Sequence, residues 1–181
     1  MTRLFSLCLI LIVAACTTAR IPHQTVSIGE DVSLDLPLPP GFPGTFEERT
    51  RLRISANGEG ATVNVYAMFN RAAGLVRVTH PTGPTLLDVE WSGDGISERR
   101  NTQLPDEIRS EELLAALYIL LWPGERVAAS LSPGATFVEQ GPVRAVQTFD
   151  RTVMVLRQIG NRVVVDHYDY GYRFEIAGFT P

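Results

Sequence analysis

The stretch SEELLAALYILLWPG, at residues 110–124, decides the fold class, because it interrupts a chain that otherwise alternates like a series of β-strands. Ser110 suits the N-cap of a helix, and the two glutamates after it suit the positive end of the helix dipole. Residues 113–122 are apolar throughout, and Pro123-Gly124 ends the helix. Since these ten residues offer no polar face, we expect a helix that is buried on several sides.

Upstream of this helix the sequence predicts a hairpin of two long strands. Residues 45–56 and 61–70 are joined through Asn57-Gly58-Glu59-Gly60, and Asn-Gly favours the positive φ of tight turns. The second strand places five apolar residues on one face: Ala61, Val63, Val65, Ala67 and Phe69. One side of the hairpin is therefore expected to face the core.

The remaining segments extend the same pattern on both sides of the helix. Residues 26–36 alternate loosely and run into the proline-rich stretch 37–43, which predicts a stiff, extended loop. A shorter helix is expected at 125–131. Short strands are expected at 74–80, 85–91, 96–99, 136–139, 144–149, 152–159, 162–168 and 172–177. We therefore expect an α+β, mainly β domain at residues 25–181, in which one or two helices cover a curved antiparallel sheet that forms an incomplete barrel.

The N-terminus has the layout of a secretory signal. Arg3 precedes an apolar run that ends in Val13-Ala14-Ala15-Cys16, and this run is too short to span a bilayer. The pattern resembles the lipobox of bacterial lipoproteins, which implies a signal peptide at 1–15, lipid attachment to Cys16 and a tether at 16–24. Thr17 stands where the family rule for inner-membrane retention favours Asp, so the resemblance implies the periplasmic face of the outer membrane.

Composition narrows the classes of partner and covalent cross-link. All 16 basic residues are arginine, the formal net charge is −4, and the arginines are scattered singly apart from Arg99-Arg100. With no basic stripe, nucleic acid is not an expected partner. The two cysteines lie in the expected signal and at the expected lipid site, so no disulfide is expected.

Three features together resemble a family of bacterial lipoproteins of undefined function, often encoded in aryl-polyene or fatty-acid-like biosynthetic clusters. They are the lipobox, the helix that ends in Trp122-Pro123, and the ending YGYRFEI at 170–176. The order of elements is also similar to that of the lipoprotein-localisation factors LolA and LolB. That similarity implies an incomplete antiparallel barrel whose concave apolar face holds acyl chains beneath helices.

A covered half-barrel suggests a lid and a cavity wall made of apolar side chains. The lid candidates are Leu113, Leu117, Leu120, Leu121 and Trp122. The wall candidates are Val63, Val65, Val76, Val78, Val153 and Val155. The alternative interpretation is that all of these are ordinary core residues and that no ligand enters.

The sequence shows no catalytic or metal-binding signature. Asp166 and His167 are neighbours on an expected strand and so point to opposite faces, and no zinc-ligand spacing occurs. Four carboxylates at 88–98 do not match a calcium loop, and a solvated face is the expected role. Tyr168, Tyr170 and Tyr172 are expected to form a ladder on one face. We expect no enzyme and no cofactor.

Two functions follow from the sequence. The first is a non-catalytic outer-membrane lipoprotein that binds or transfers an acyl-chain lipid, a polyene lipid or a lipoprotein. The second is a structural or assembly lipoprotein that docks an envelope protein through a sheet edge or the loop at 37–44. A filled core beneath Leu117 and Leu121 would favour docking, whereas a continuous apolar cavity would favour lipid.

Overall fold

The computed structural model describes residues 23–56, 59–104 and 109–178. The expected signal peptide, Cys16 and the Asn57-Gly58 turn lie outside these residues. The strands within the described residues are β1 His23–Ser27, β2 Ser33–Pro37, β3 Phe46–Ala56, β4 Glu59–Phe69, β5 Gly74–Thr79, β6 Thr85–Ser92, β7 Gly95–Arg100, β8 Thr136–Gln140, β9 Val143–Gln147, β10 Thr152–Ile159, β11 Arg162–His167 and β12 Tyr172–Ala177. The helices are α1 Ser110–Leu121 and α2 Gly124–Ser130.

A ten-stranded antiparallel sheet forms the body of the domain. Its order is β7-β6-β5-β4-β3-β12-β11-β10-β9-β8, and the sheet is open. The chain makes one meander from β3 to β7 and a second from β8 to β12, and pairing of β12 with β3 joins the two. The helices connect β7 to β8, the opposite ends of the sheet, so α1 has to cross the sheet. This arrangement confirms the mainly β fold with an antiparallel sheet and two helices.

A second, two-stranded sheet covers α1. Residues 26–36, which we expected to form one loosely alternating stretch, belong to a hairpin of β1 and β2. The pairing of the two strands begins with His23 opposite Pro37 and ends with Ser27 opposite Ser33. Both strands contact α1. Five side chains of this hairpin join the main core: Val26, Ile28, Val32, Leu34 and Leu36. The helix is apolar on all sides because it lies between two β layers.

The predicted inner-face valines of β4 and β5 lie where alternation places them, whereas β10 departs from alternation. Val63, Val65, Val76 and Val78 are buried on the inner face, which we define as the face that α1 covers. In β10 a register shift between Thr152 and Met154 interrupts the alternation. Val153 and Met154 therefore both join the core, and Val155 lies outside the core cluster. The prediction that Val153 and Val155 line the same wall was wrong for this reason.

The N-terminus of α1 also differs from its prediction. Arg109 occupies the N-cap without a side-chain capping bond, and Ser110 is the first helical residue. Residues 113–119 are all buried, as expected, whereas Leu120 and Leu121 are partly buried.

An arginine of the sheet holds the C-terminal end of α1. Nη1 of Arg144 lies 2.8–2.9 Å from the carbonyl oxygens of Ile119, Leu120 and Trp122. Its other guanidinium atoms pair with Glu139. The positive charge of Arg144 also interacts favourably with the negative, C-terminal end of the helix dipole. Carbonyls that the helix itself leaves unpaired thereby gain a donor from β9.

Replacing Arg144 with alanine is expected to lower the free energy of unfolding by about 2 kcal/mol, because the terminal carbonyls lose a charged donor. Urea unfolding would measure the change. The matched variant Glu139→Ala removes only a partly exposed ion pair and should cost less than about 1 kcal/mol. Equal losses in the two variants would mean that the ion pair, and not the helix end, is what Arg144 stabilises.

An aromatic cluster fills the core beyond the C-terminal end of α1. Its members are Phe42, Phe46, Phe69, Trp91, Tyr118 and Trp122. Gly74 borders this cluster, and a Cβ there would lie 2.7 Å from the Phe69 ring, so only glycine fits. Both indoles also hold the proline-rich loop, since Trp91 donates to the Pro37 carbonyl and Trp122 to the Pro40 carbonyl. This loop is therefore fastened to the core.

Candidate functional site

A narrow apolar cleft lies between the N-terminal half of α1 and the inner face of the sheet. Leu113 and Leu117 roof it, and its floor includes Leu52, Val65, Ala67 and Ile176. Its volume is about 20 Å³, which is room for about one water molecule. The core beneath Leu117 is thus nearly filled.

The cleft brings together only some of the predicted lid and wall residues. Leu113, Leu117 and Val65 line it. Val63 is buried in the same core without lining the cleft, and Leu120 and Leu121 are partly buried. Trp122 belongs to the aromatic cluster.

The cleft borders a step in the sheet. β12 pairs with β3 only as far as Ala177 opposite Arg51, whereas β3 continues to Phe46. Glu48 and Thr50, both half-buried, line the cleft beyond the end of β12. Thr50 donates a hydrogen bond to the Ala177 carbonyl. The accessible lining of the cleft is nevertheless apolar throughout.

The two ends of α1 are held differently. The C-terminal end has the Arg144 bonds and the aromatic cluster. Near the N-terminal end, Glu112 is 2% exposed, and its Oε2 has no hydrogen-bond partner among the described residues. The hydroxyl of Tyr172 is likewise buried without such a partner. Buried polar atoms without hydrogen-bond partners therefore occur near the N-terminal end of α1, whereas Arg144 donates to the carbonyls at the C-terminal end.

Burial controls the titration of both groups. It raises the pKa of Glu112 above its usual value, and Tyr172 and the charge of Arg109 act against that rise. Burial likewise raises the pKa of Tyr172, and the neighbouring carboxylate of Glu112 adds to the rise. In both groups burial acts in favour of the neutral form, because that form is less costly in an apolar site.

A buried histidine lies farther along the same side of the sheet. The His167 ring stacks at 4.5 Å on Tyr170 and lies 4.7 Å from Tyr172. Burial lowers the pKa of His167 to about 4. Its Nδ1 accepts the Tyr170 backbone N–H at 3.3 Å, which assigns the proton of the neutral ring to Nε2. Tyr168, by contrast, is 54% exposed and accepts a hydrogen bond from Arg157. The expected three-tyrosine ladder was wrong at this position, because β11 ends at His167 and Tyr168 begins the turn.

The arginines form a patch that we did not predict from the sequence. Arg49, Arg51 and Arg53 are exposed and lie on the outer face of β3, because residues at every second position of a strand share a face. The expectation that no basic stripe exists was wrong, and the alternation Arg-Thr-Arg-Leu-Arg was the signal that was missed. Beside it lies a groove of about 620 Å³ that we call the arginine groove. Its lining includes Arg49, Arg51, Asn64, Tyr66, Arg77 and Thr79.

The acidic region at 88–98 is not simply a solvated face. Asp88 is 8% exposed and accepts two hydrogen bonds from Arg77, at 3.1 and 2.9 Å. Arg99 lies 3.4 Å from both Asp88 and Glu90.

Within residues 23–56, 59–104 and 109–178, no three His, Cys, Asp or Glu side chains are grouped so as to hold a metal ion. No helix in these ranges has the length and apolar character needed to cross a membrane.

Comparison with known proteins identifies the family. No curated protein matches the chain. The sequence model of the family DUF3261, described as a protein of unknown function, matches residues 47–179, which is most of the main sheet together with both helices. The chain therefore belongs to this family of unknown function, DUF3261.

Proposed function

We propose that this protein is a non-catalytic outer-membrane lipoprotein, anchored through Cys16 on the periplasmic face, that binds an acyl or polyene chain in the cleft beneath α1. The lining of the cleft carries the proposal, because Leu113, Leu117 and the floor residues present a hydrocarbon surface. Ligand sites are typically apolar with a few polar groups placed at one side. Glu48 and Thr50 border the cleft at the end of β12 and are the polar residues nearest to it.

Entry of a chain requires α1 to move, since the cleft has room for about one water molecule. Raising the N-terminal half would bring Glu112 and Tyr172 into contact with water, and this hydration offsets part of the cost of separating apolar surfaces. The aromatic cluster and Arg144 would hold the other end as a hinge. The β1–β2 hairpin contacts α1 and would move with it.

The second candidate is a lipoprotein that docks an envelope protein. The nearly filled core beneath Leu117 favours it. The loop at 37–44 is a poor docking element, because both core indoles and Arg126 hydrogen-bond its carbonyl groups. The open sheet has β7 and β8 as its edge strands, and these edges offer the alternative surface.

Filling the cleft tests the lipid proposal. Ala67 is 4% exposed and lines the cleft, so Ala67→Leu should reduce binding of a fluorescent fatty acid at least about tenfold by occupying the space of about two chain carbons. Ala72→Leu makes the same change at an exposed position and should leave binding unchanged. Absence of lipid in native mass spectrometry of the detergent-free protein, together with no uptake of the fatty acid, would remove this proposal in favour of docking.

The anchor has its own test. In the native host, radiolabelled palmitate should appear on the protein, and Cys16→Ser should abolish both the label and outer-membrane localisation. A control substitution, Thr17→Ser, leaves the cysteine in place and should keep the label. A Cys16→Ser protein that matures and localises like the wild type would refute the lipoprotein assignment.

A further inference from the structure

The arginine groove and the apolar cleft meet at one place in the sheet. Thr50 and Val65, which are paired across β3 and β4, line both of them. Ala177 and Gly178, at the end of β12, complete the groove on that side. The cleft lies on the inner face and the groove on the outer face, so the step where β12 ends brings them together.

Two of the three arginines in the groove have no ion-pair partner among the described residues. Arg49 lies over the Tyr66 ring, 5.2 Å from its centroid. Among the residues that the structure describes, no carboxylate forms an ion pair with Arg49 or Arg51. The third arginine, Arg77, is paired with Asp88. Two exposed guanidinium groups therefore lie side by side on a protein whose net charge is −4.

The donors suit a phosphate group. Each guanidinium presents parallel N–H donors that match two oxygens of one phosphate. Asn64 and Thr79 add an amide and a hydroxyl to the same lining. A bound phosphate would also relieve the repulsion between two like charges on one strand.

We propose that the arginine groove binds the phosphate of an anionic membrane lipid whose acyl chain lies in the cleft beneath α1. This inference rests on the proposed acyl-chain function, and it names the class of ligand. The chain would pass the end of β12 beside Thr50, with the hydrocarbon on the inner face and the headgroup on the outer face.

Calorimetric titration of the purified, detergent-free protein tests the assignment with four probes. They are dihexanoyl phosphatidic acid, dihexanoylglycerol, inorganic phosphate and a short single-stranded oligonucleotide. The double variant Arg49→Gln/Arg51→Gln should weaken phosphatidic acid binding about tenfold or more, because two charged donors are lost, and should leave dihexanoylglycerol binding unchanged. The matched variant Arg71→Gln/Arg162→Gln removes the same charge from exposed sites outside the groove and should change neither affinity.

The outcomes separate the headgroup site from the chain site. Ala67→Leu should abolish dihexanoylglycerol binding without changing the affinity for inorganic phosphate. Inorganic phosphate that binds as tightly as phosphatidic acid would overturn the lipid assignment and leave an ion site. If the double arginine variant binds phosphatidic acid with wild-type affinity, the arginine groove is not the phosphate site. That result would leave the proposed chain site intact. An oligonucleotide that binds more tightly than phosphatidic acid, and loses affinity in the double variant, would replace lipid with nucleic acid.

Discussion

Replacing Trp122 with alanine is expected to lower the free energy of unfolding by about 3–5 kcal/mol. Trp122 is fully buried, and its ring centroid lies 4.9–5.6 Å from those of Tyr118, Phe42, Phe69 and Trp91. Its Nε1 also donates to the Pro40 carbonyl at 3.1 Å. The substitution thus leaves a large cavity and an unpaired carbonyl at the point where α1, β4, β6 and the proline-rich loop meet.

Urea unfolding would measure this loss as a lower midpoint with an unchanged slope. A typical domain is stable by about 5–15 kcal/mol, so a loss of this size could unfold the alanine variant. Trp122→Phe is a milder variant that folds, because it loses the hydrogen bond to Pro40 and only part of the ring volume. Phe149→Ala is the control, because Phe149 is fully exposed, and its expected change lies within about 0.5 kcal/mol. If the alanine variants at 122 and 149 unfold at the same midpoint, the aromatic cluster does not stabilise the fold.

Acidification from pH 7 to pH 4 is expected to cost about 3 kcal/mol of stability through His167 alone. Burial lowers the pKa of His167 to about 4 in the folded protein, from a usual value of 6.5. Between these two values the unfolded chain binds the proton and the folded chain does not. The contribution is therefore complete above about pH 6.5 and is lost as the pH falls toward 4.

Unfolding measured at several pH values between 4 and 7 would test this sign. His167→Phe keeps an aromatic ring against Tyr170 and Tyr172 and should remove most of the pH dependence in this range. His80→Gln, at an exposed histidine that hydrogen-bonds Thr82, should retain it. An unchanged slope in His167→Phe would show that another group controls the acid response.

Two neighbouring carboxyl groups modify this response in known directions. The charge of Asp169 acts to raise the pKa of His167, against the effect of burial. Glu112 titrates in the opposite sense, because its pKa is raised in the folded protein. Its contribution is fully present below a usual pKa of 4.5 and is lost as the pH rises through the folded value. The two groups therefore change the stability in opposite directions as the pH rises.

Periodicity predicted those elements whose pattern is local. The bounds of β10 and β12 were predicted to the residue, and α1 was placed by its apolar run and Pro123-Gly124. The β3–β4 hairpin followed from alternation, with Ala61 as an exposed exception. The hydrophobic pattern within each of these segments is enough to predict it, because each buries one face or all faces along its whole length.

The features that escaped prediction depend on long-range packing. Nothing in residues 26–36 shows that they fold into a hairpin over α1, because alternation does not reveal which layer a strand joins. The bulge in β10 reverses a face without leaving any mark in the sequence VMVL at 153–156. Glu112 has the sequence signature of a solvated first-turn acid, and only the tertiary fold places it beside Tyr172.

The central position of β12 has a consequence for the order in which this protein folds during synthesis. β12 follows β3–β11 along the chain and joins the β3–β7 meander to the β8–β11 meander. Until residues 172–177 are available, β3 presents a long unpaired edge, and such edges promote association between nascent chains. A chain interrupted before Tyr172 would therefore hold two separate half-sheets, so β12 is the strand that completes the sheet.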